Sequence, residues 1–165
     1  MKIRILFVLI IFSSIPAFVS AQSTKEISYE DVTLKIPEDW FHRTNQFQNG
    51  GSLNIGKEGE KNSITINFWE AKIPSEEILN FNKANFSKLD LFKNAKYSET
   101  SEVTFNGFQA KRLEFSTNFQ NQSFVGKMIA FNRNSRSYLV MYNAIPQFSN
   151  SSTLQDILAS IKIFH

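Results

Sequence analysis

The apolar positions change period along this chain, and each change marks an element. Val32, Leu34 and Ile36 alternate with Thr33 and Lys35, the period-two signature of a half-buried strand. Pro37 has no N–H to donate and ends that ladder, Glu38-Asp39 turns the chain, and Trp40-Phe41 opens a second strand running to Phe47. A short first strand at Ile27 to Tyr29 precedes them. Gln48-Asn49-Gly50-Gly51 supplies the next turn, Ser52 to Gly56 a further strand, and Lys57 to Asn62 a charged loop. Ser63 to Trp69 alternates again, with Ile64, Ile66 and Phe68 on one face and Thr65, Asn67 and Trp69 on the other. This part of the chain predicts an antiparallel meander.

At Pro74 the period becomes helical. Ser75 is placed to cap the helix, and Glu76 and Glu77 put negative charge in the first turn, where the helix dipole favours it. Ile78, Leu79, Phe81, Phe86, Leu89 and Phe92 share one face, which predicts an amphipathic helix from Glu76 to about Leu91. Its polar face mixes Lys83 and Lys88 with Glu77 and Asp90, which favours packing on a sheet over lying on a membrane. Asn106-Gly107 between strand-like runs at 96–105 and 108–115 is a hairpin signal, because both residues tolerate positive φ. The alternation slips between Arg112 and Leu113, and that predicts a bulge or an edge position.

A second long hairpin joins Gln122–Asn132 to Ser137–Ala144 across the turn at 133–136. Tyr138 to Tyr142 is apolar on both faces, as a central strand covered from both sides would be. Ser152-Thr153-Leu154-Gln155 matches a capping box, and Leu154, Ile157, Leu158 and Ile161 form one helical stripe before a short final strand. The expected fold is α+β: a mainly antiparallel central sheet of roughly seven or eight strands with helices on both faces, an α/β/α sandwich.

Before this pattern lies a different one. Lys2 and Arg4 precede the unbroken apolar run Ile5 to Ile11, and Val19-Ser20-Ala21 offers small residues before Gln22. That predicts a signal peptide at 1–21, cleaved between Ala21 and Gln22, and a periplasmic or secreted product whose single domain is 22–165. The apolar run is far short of the ~20 residues of a spanning helix, and no later stretch approaches that length, so no membrane span is expected in the mature chain. The 165 residues include no cysteine, which excludes disulfides, thiolate nucleophiles and cysteine-ligated metal. Removing Lys2 and Arg4 from 18 basic residues leaves 16 against 15 acids, a nearly neutral domain with no global attraction to nucleic acid.

The order of elements resembles that of the PsbP-like superfamily, which includes the extrinsic photosystem II subunit, DcrB-type envelope proteins and a Mog-type Ran-binding protein. The resemblance rests on Val32 to Trp40 with its Ile-Pro-Glu-Asp-Trp turn, the helix from Pro74, the Asn106-Gly107-Phe108-Gln109-Ala110 hairpin, and Tyr138 to Ala144 followed by Ile145-Pro146 and a helix ending in Ser160-Ile161-Lys162-Ile163. It covers nearly the whole mature chain. It implies an α/β/α sandwich acting as a binding or accessory module, and it carries no ligand residues across.

Candidate chemistry is sparse. Glu38, Asp39 and His42 are close enough in sequence for a weak metal site, although a solvated acidic turn explains them better. A serine triad has only His42 to use, and no Gly-x-Ser-x-Gly elbow or phosphate-binding glycine loop is present. No enzyme activity, no catalytic residue and no cofactor are expected. Binding is the better expectation, with Trp69 as an aromatic anchor and Lys111, Arg112, Arg133 and Arg136 as a basic patch for an unidentified protein or small ligand of the cell envelope. The alternatives are a periplasmic carrier of a small molecule or metal ion, using a cleft between sheet and helix, and, behind it, a hydrolase.

Overall fold

Two antiparallel sheets organise the computed structural model, which describes residues 23–164. The leader at 1–21, its cleavage point and His165 lie outside the described residues. The small sheet has the order β1-β2-β11, from β1 (Thr24–Tyr29), β2 (Val32–Pro37) and β11 (Lys162–Ile163). The opening strand therefore sits in its own three-stranded sheet and not in the central one, because the C-terminus returns to pair Ile163 with Val32.

The main sheet has eight strands, all paired antiparallel. They are β3 (Phe41–Phe47), β4 (Gly50–Gly56), β5 (Ser63–Trp69), β6 (Lys96–Tyr97), β7 (Ser101–Phe105), β8 (Phe108–Phe119), β9 (Gln122–Arg133) and β10 (Arg136–Ala144). The spatial order is β3-β4-β5-β10-β9-β8-β6, with β7 also pairing to β8. As its all-apolar run predicts, β10 is central, between β5 and β9. The edge strand β3 is exposed along its length, and the rings of Phe41 and Phe47 lie over Gly56 and Gly50 opposite them on β4.

Alternate residues of β10 enter different cores. Tyr138, Val140 and Tyr142 join a cluster with Leu34, Ile36, Trp40 and, from helix α3 (Ser152–Ser160), Leu154, Ile157 and Leu158. Leu139 joins a second cluster with Met128, Leu113, Phe115 and, from helix α1 (Ser75–Phe86), Ile78 and Leu79. Trp40 is buried and stacks on Phe148 of the short helix α2 (Pro146–Ser149), with ring centroids 5.6 Å apart.

The two cores explain the slip in β8. Pairing to β9 continues without a bulge from Ala110↔Phe131 to Phe119↔Gln122, and β8 is interior, flanked by β9 on one side and by β6 and β7 on the other. Ala110 points into the first core, while Leu113 and Phe115 point into the second. Strand residues one apart face opposite ways, so a strand that changes the core it serves breaks its alternation without breaking its ladder.

Other expectations are corrected in detail. Helix α1 ends at Phe86, not near Leu91, and a separate 3-10 turn spans Asp90–Phe92. Leu89 adopts an extended conformation and is 52% exposed, and Phe81 is 63% exposed, so neither belongs to the buried stripe. Phe86 and Phe92 still meet, stacked at 4.6 Å across the break. Pro74, not Ser75, occupies the N-cap of α1 without a side-chain bond, and Ser151, not Ser152, caps α3 by accepting from Leu154 N–H at 3.2 Å. The Asn106-Gly107 turn forms as its sequence demands, with φ of 47° and 86°. Its Asn106 amide donates to the carbonyls of Leu158 (2.9 Å) and Ile161 (3.0 Å), tying the hairpin to the end of α3.

Candidate functional site

A concavity lies between the β8–β10 surface and the α2–α3 segment. Its floor is a polar rung fixed by strand register: Glu114 on β8 stands opposite Lys127 on β9, which stands opposite Tyr142 on β10. Lys127 Nζ is 3.2 Å from a Glu114 carboxylate oxygen. Arg112, two residues from Glu114 and so on its face of β8, brings Nε to 3.6 Å from the same oxygen, within ion-pair range and beyond hydrogen bonding. That buried Nε has no hydrogen-bond partner among the described residues. Burial of the Tyr142 ring, assisted by the Glu114 carboxylate and opposed by Arg112, pushes its phenol up to about 12.

Around this floor the cleft encloses about 520 Å³, walled by Lys96 and Ser98 on one side and Ser149, Asn150 and Gln155 on the other. A smaller lobe of about 250 Å³ shares Lys127, Tyr142 and Gln155 with it and continues to Val103, Phe105, Ile129 and Leu158. Polar at one end and apolar at the other, the cleft can hold a small ligand.

A second polar cluster lies at the β9–β10 turn. Asp31, its side chain 1% exposed, accepts a hydrogen bond from the Tyr138 hydroxyl and pairs with Arg136 Nη1 at 3.2 Å. Arg136 also binds the Glu70 carboxylate and lies 5.3 Å from the Phe68 ring centroid. Burial first, then the Asp31 partnership, raises the Tyr138 phenol far above its ordinary value. The cluster borders a recess of about 400 Å³ that also includes Glu30 and Arg133. Its contacts join the β1–β2 turn to the main sheet, a fastening role.

The expected binding residues are divided by these contacts. Trp69 is half-buried against the α1 core and lines a groove of about 440 Å³ with Ile73, Ile78 and Phe81. Lys111 pairs with Glu76 of α1 at 2.8 Å and with Glu102 at 3.4 Å. Arg112, the next residue, faces the opposite side and lies in the cleft's smaller lobe. Arg133 lies 5.3 Å from the Phe108 ring centroid and shares the turn recess with Arg136. The structure thus brings Arg133 and Arg136 together, and leaves Trp69, Lys111 and Arg112 at three other places. Asp39 pairs with Lys57 at 3.0 Å, and among the described residues no three His, Asp or Glu side chains converge as a metal site.

Sequence reasoning found Arg112 and missed Glu114, Lys127, Tyr142 and Asp31. The signal for the rung was available: Gln120 and Asn121 both take positive φ (49° and 61°) at the β8–β9 turn, and a two-residue turn there sets Glu114 against Lys127. Nothing in the sequence pointed to Asp31, whose partners are more than a hundred residues away.

No protein-family model matches the chain, and no curated protein matches it by sequence. Solved structures do match. Cyanobacterial PsbP (CyanoP) of Synechocystis superposes with a TM-score of 0.62 at 8% identity, over 89% of this chain and 96% of that one. LpqN, described as involved in cell envelope biogenesis of Mycobacterium tuberculosis, gives 0.51 at 15% identity over 87% and 91%. A Bacteroides thetaiotaomicron protein gives 0.54 at 8% identity over 82% of this chain and 46% of its own. At such identities the likeness is one of fold, and the chain has the PsbP-like fold.

Proposed function

We propose that this protein is an exported, non-enzymatic accessory or binding protein of the PsbP-like type, acting in the cell envelope. The observation that carries this reading is the near full-length superposition on two proteins of that fold, one of them described as working in cell envelope biogenesis. The apolar leader before Gln22 supports export, and the separate cores that α3 and α1 share with β10 support a sandwich with helices on both faces of the main sheet. The test is fractionation of cells with mass spectrometry of the N-terminus. Recovery outside the cytoplasm with Gln22 as first residue is expected; an intact chain in the cytosol refutes export.

The cleft favours a second reading, a carrier of a small molecule. A concavity of about 520 Å³ is within the usual range of ligand pockets. Native mass spectrometry of the mature protein from its own cells distinguishes the two: a stoichiometric small adduct supports a carrier, and a clean apo mass supports an accessory protein that binds another protein.

A further inference from the structure

We propose that the cleft between β8–β10 and α3 binds an amphipathic organic acid, its carboxylate at the Arg112–Lys127–Tyr142 junction and its apolar body in the smaller lobe. This deepens the carrier reading and rests on the cleft being the binding site.

Charge supports the head-group assignment. The charged side chains lining the two lobes are Lys96, Arg112 and Lys127 against the single carboxylate of Glu114. Glu114 is already shared between Arg112 and Lys127, so one acid answers two cations in the floor, and Lys96 adds a third at the wall. A ligand carboxylate at the junction would neutralise this excess.

Donor geometry supports it as well. Arg112 Nε is buried without a hydrogen-bond partner among the described residues, and an unsatisfied buried donor is costly until an acceptor reaches it. The Tyr142 phenol, held protonated well above neutrality, is a further donor on the same floor. Guanidinium, ammonium and phenol together are hydrogen-bond donors suited to a carboxylate.

The apolar requirement comes from the other end. Beyond the junction the smaller lobe passes to Val103, Phe105, Ile129 and Leu158, and it encloses about 250 Å³. That space suits a single ring or a short alkyl chain. A compact multiply charged anion would leave it unfilled.

The experiment titrates the mature chain, uniformly labelled with 15N, with three probes that share an eight-carbon chain: octanoate, octanamide and octylamine. Octanoate is expected to shift the amides of Lys127, Tyr142 and Gln155 in a saturable way. Octanamide should bind at least about tenfold more weakly and octylamine weaker still, a tenfold ratio corresponding to about 1.4 kcal/mol. Arg112→Gln and, separately, Lys127→Gln should each weaken octanoate about tenfold or more with an unchanged spectrum elsewhere. If amide or amine binds at these residues as tightly as the acid, the organic-acid inference is wrong while the cleft remains the binding site. If no probe moves these amides at millimolar concentration, this inference is overturned and the accessory reading, tested by fractionation, stands apart from it.

Discussion

Removing the hydroxyl of Tyr138 should loosen the fastening between the two sheets. The Tyr138→Phe change deletes one oxygen and leaves a ring that is buried and stacked on Phe131 at 5.3 Å, so packing is preserved. What is lost is a hydrogen bond to the Asp31 carboxylate, in a place where that carboxylate is 1% exposed. A hydrogen bond to a charged group contributes about 1.5–3 kcal/mol net. Here the upper half applies, about 2–3 kcal/mol, because Asp31 Oδ1 already has no partner among the described residues and Oδ2 would keep only Arg136 at 3.2 Å.

For a domain of this size each kcal/mol moves the melting temperature by roughly 3–5 °C, so the expected fall is about 6–15 °C. Urea unfolding followed by the fluorescence of Trp40 and Trp69 measures the free energy directly. The control is Tyr142→Phe, whose hydroxyl has no carboxylate hydrogen-bonded to it among the described residues and whose loss should cost no more than about 1 kcal/mol. A Tyr138→Phe protein as stable as the wild type to within about 0.5 kcal/mol would refute the reasoning. So would equal losses in the two variants, since the Asp31 partner is what distinguishes them.

Two further outcomes follow from burial. Trp40→Ala removes a ring that is 3% exposed and stacked on Phe148, and it should cost about 3–5 kcal/mol; an unchanged melting temperature contradicts that. Alkaline stability should fall because burial raises the phenols of Tyr97, Tyr138 and Tyr142 in the folded state, Tyr142 to about 12. The unfolded chain releases these protons near pH 10 while the folded chain keeps them, so the stability they give is complete below about pH 10 and is lost as pH rises toward 12. Each such group adds a slope of about 1.4 kcal/mol per pH unit, and Tyr142→Phe should flatten the measured dependence; an identical slope in that variant counts against a raised phenol.

The local elements were written in the chain because their causes are local. Pro37 ends β2, Asn106-Gly107 makes its turn, and the apolar run of β10 marks a strand covered on both faces, each through the geometry of neighbouring residues. Periodicity alone overextended α1: Leu89 continues the helical stripe in the sequence, but the helix stops at Phe86 and a 3-10 turn returns Phe92 to the same core.

Partnership between distant residues was decided only by the tertiary structure. Lys111 and Arg112 are neighbours in the sequence and look like one basic patch, yet alternation on β8 sends one to Glu76 of α1 and the other into the cleft. Asp31 reads as a turn residue, and only the fold brings Tyr138 and Arg136 to it. Glu114, Lys127 and Tyr142 become a rung because two hairpin registers align three strands. A residue's period in the sequence fixes the face it occupies, whereas the charge or cavity that face meets depends on chain returning from far away.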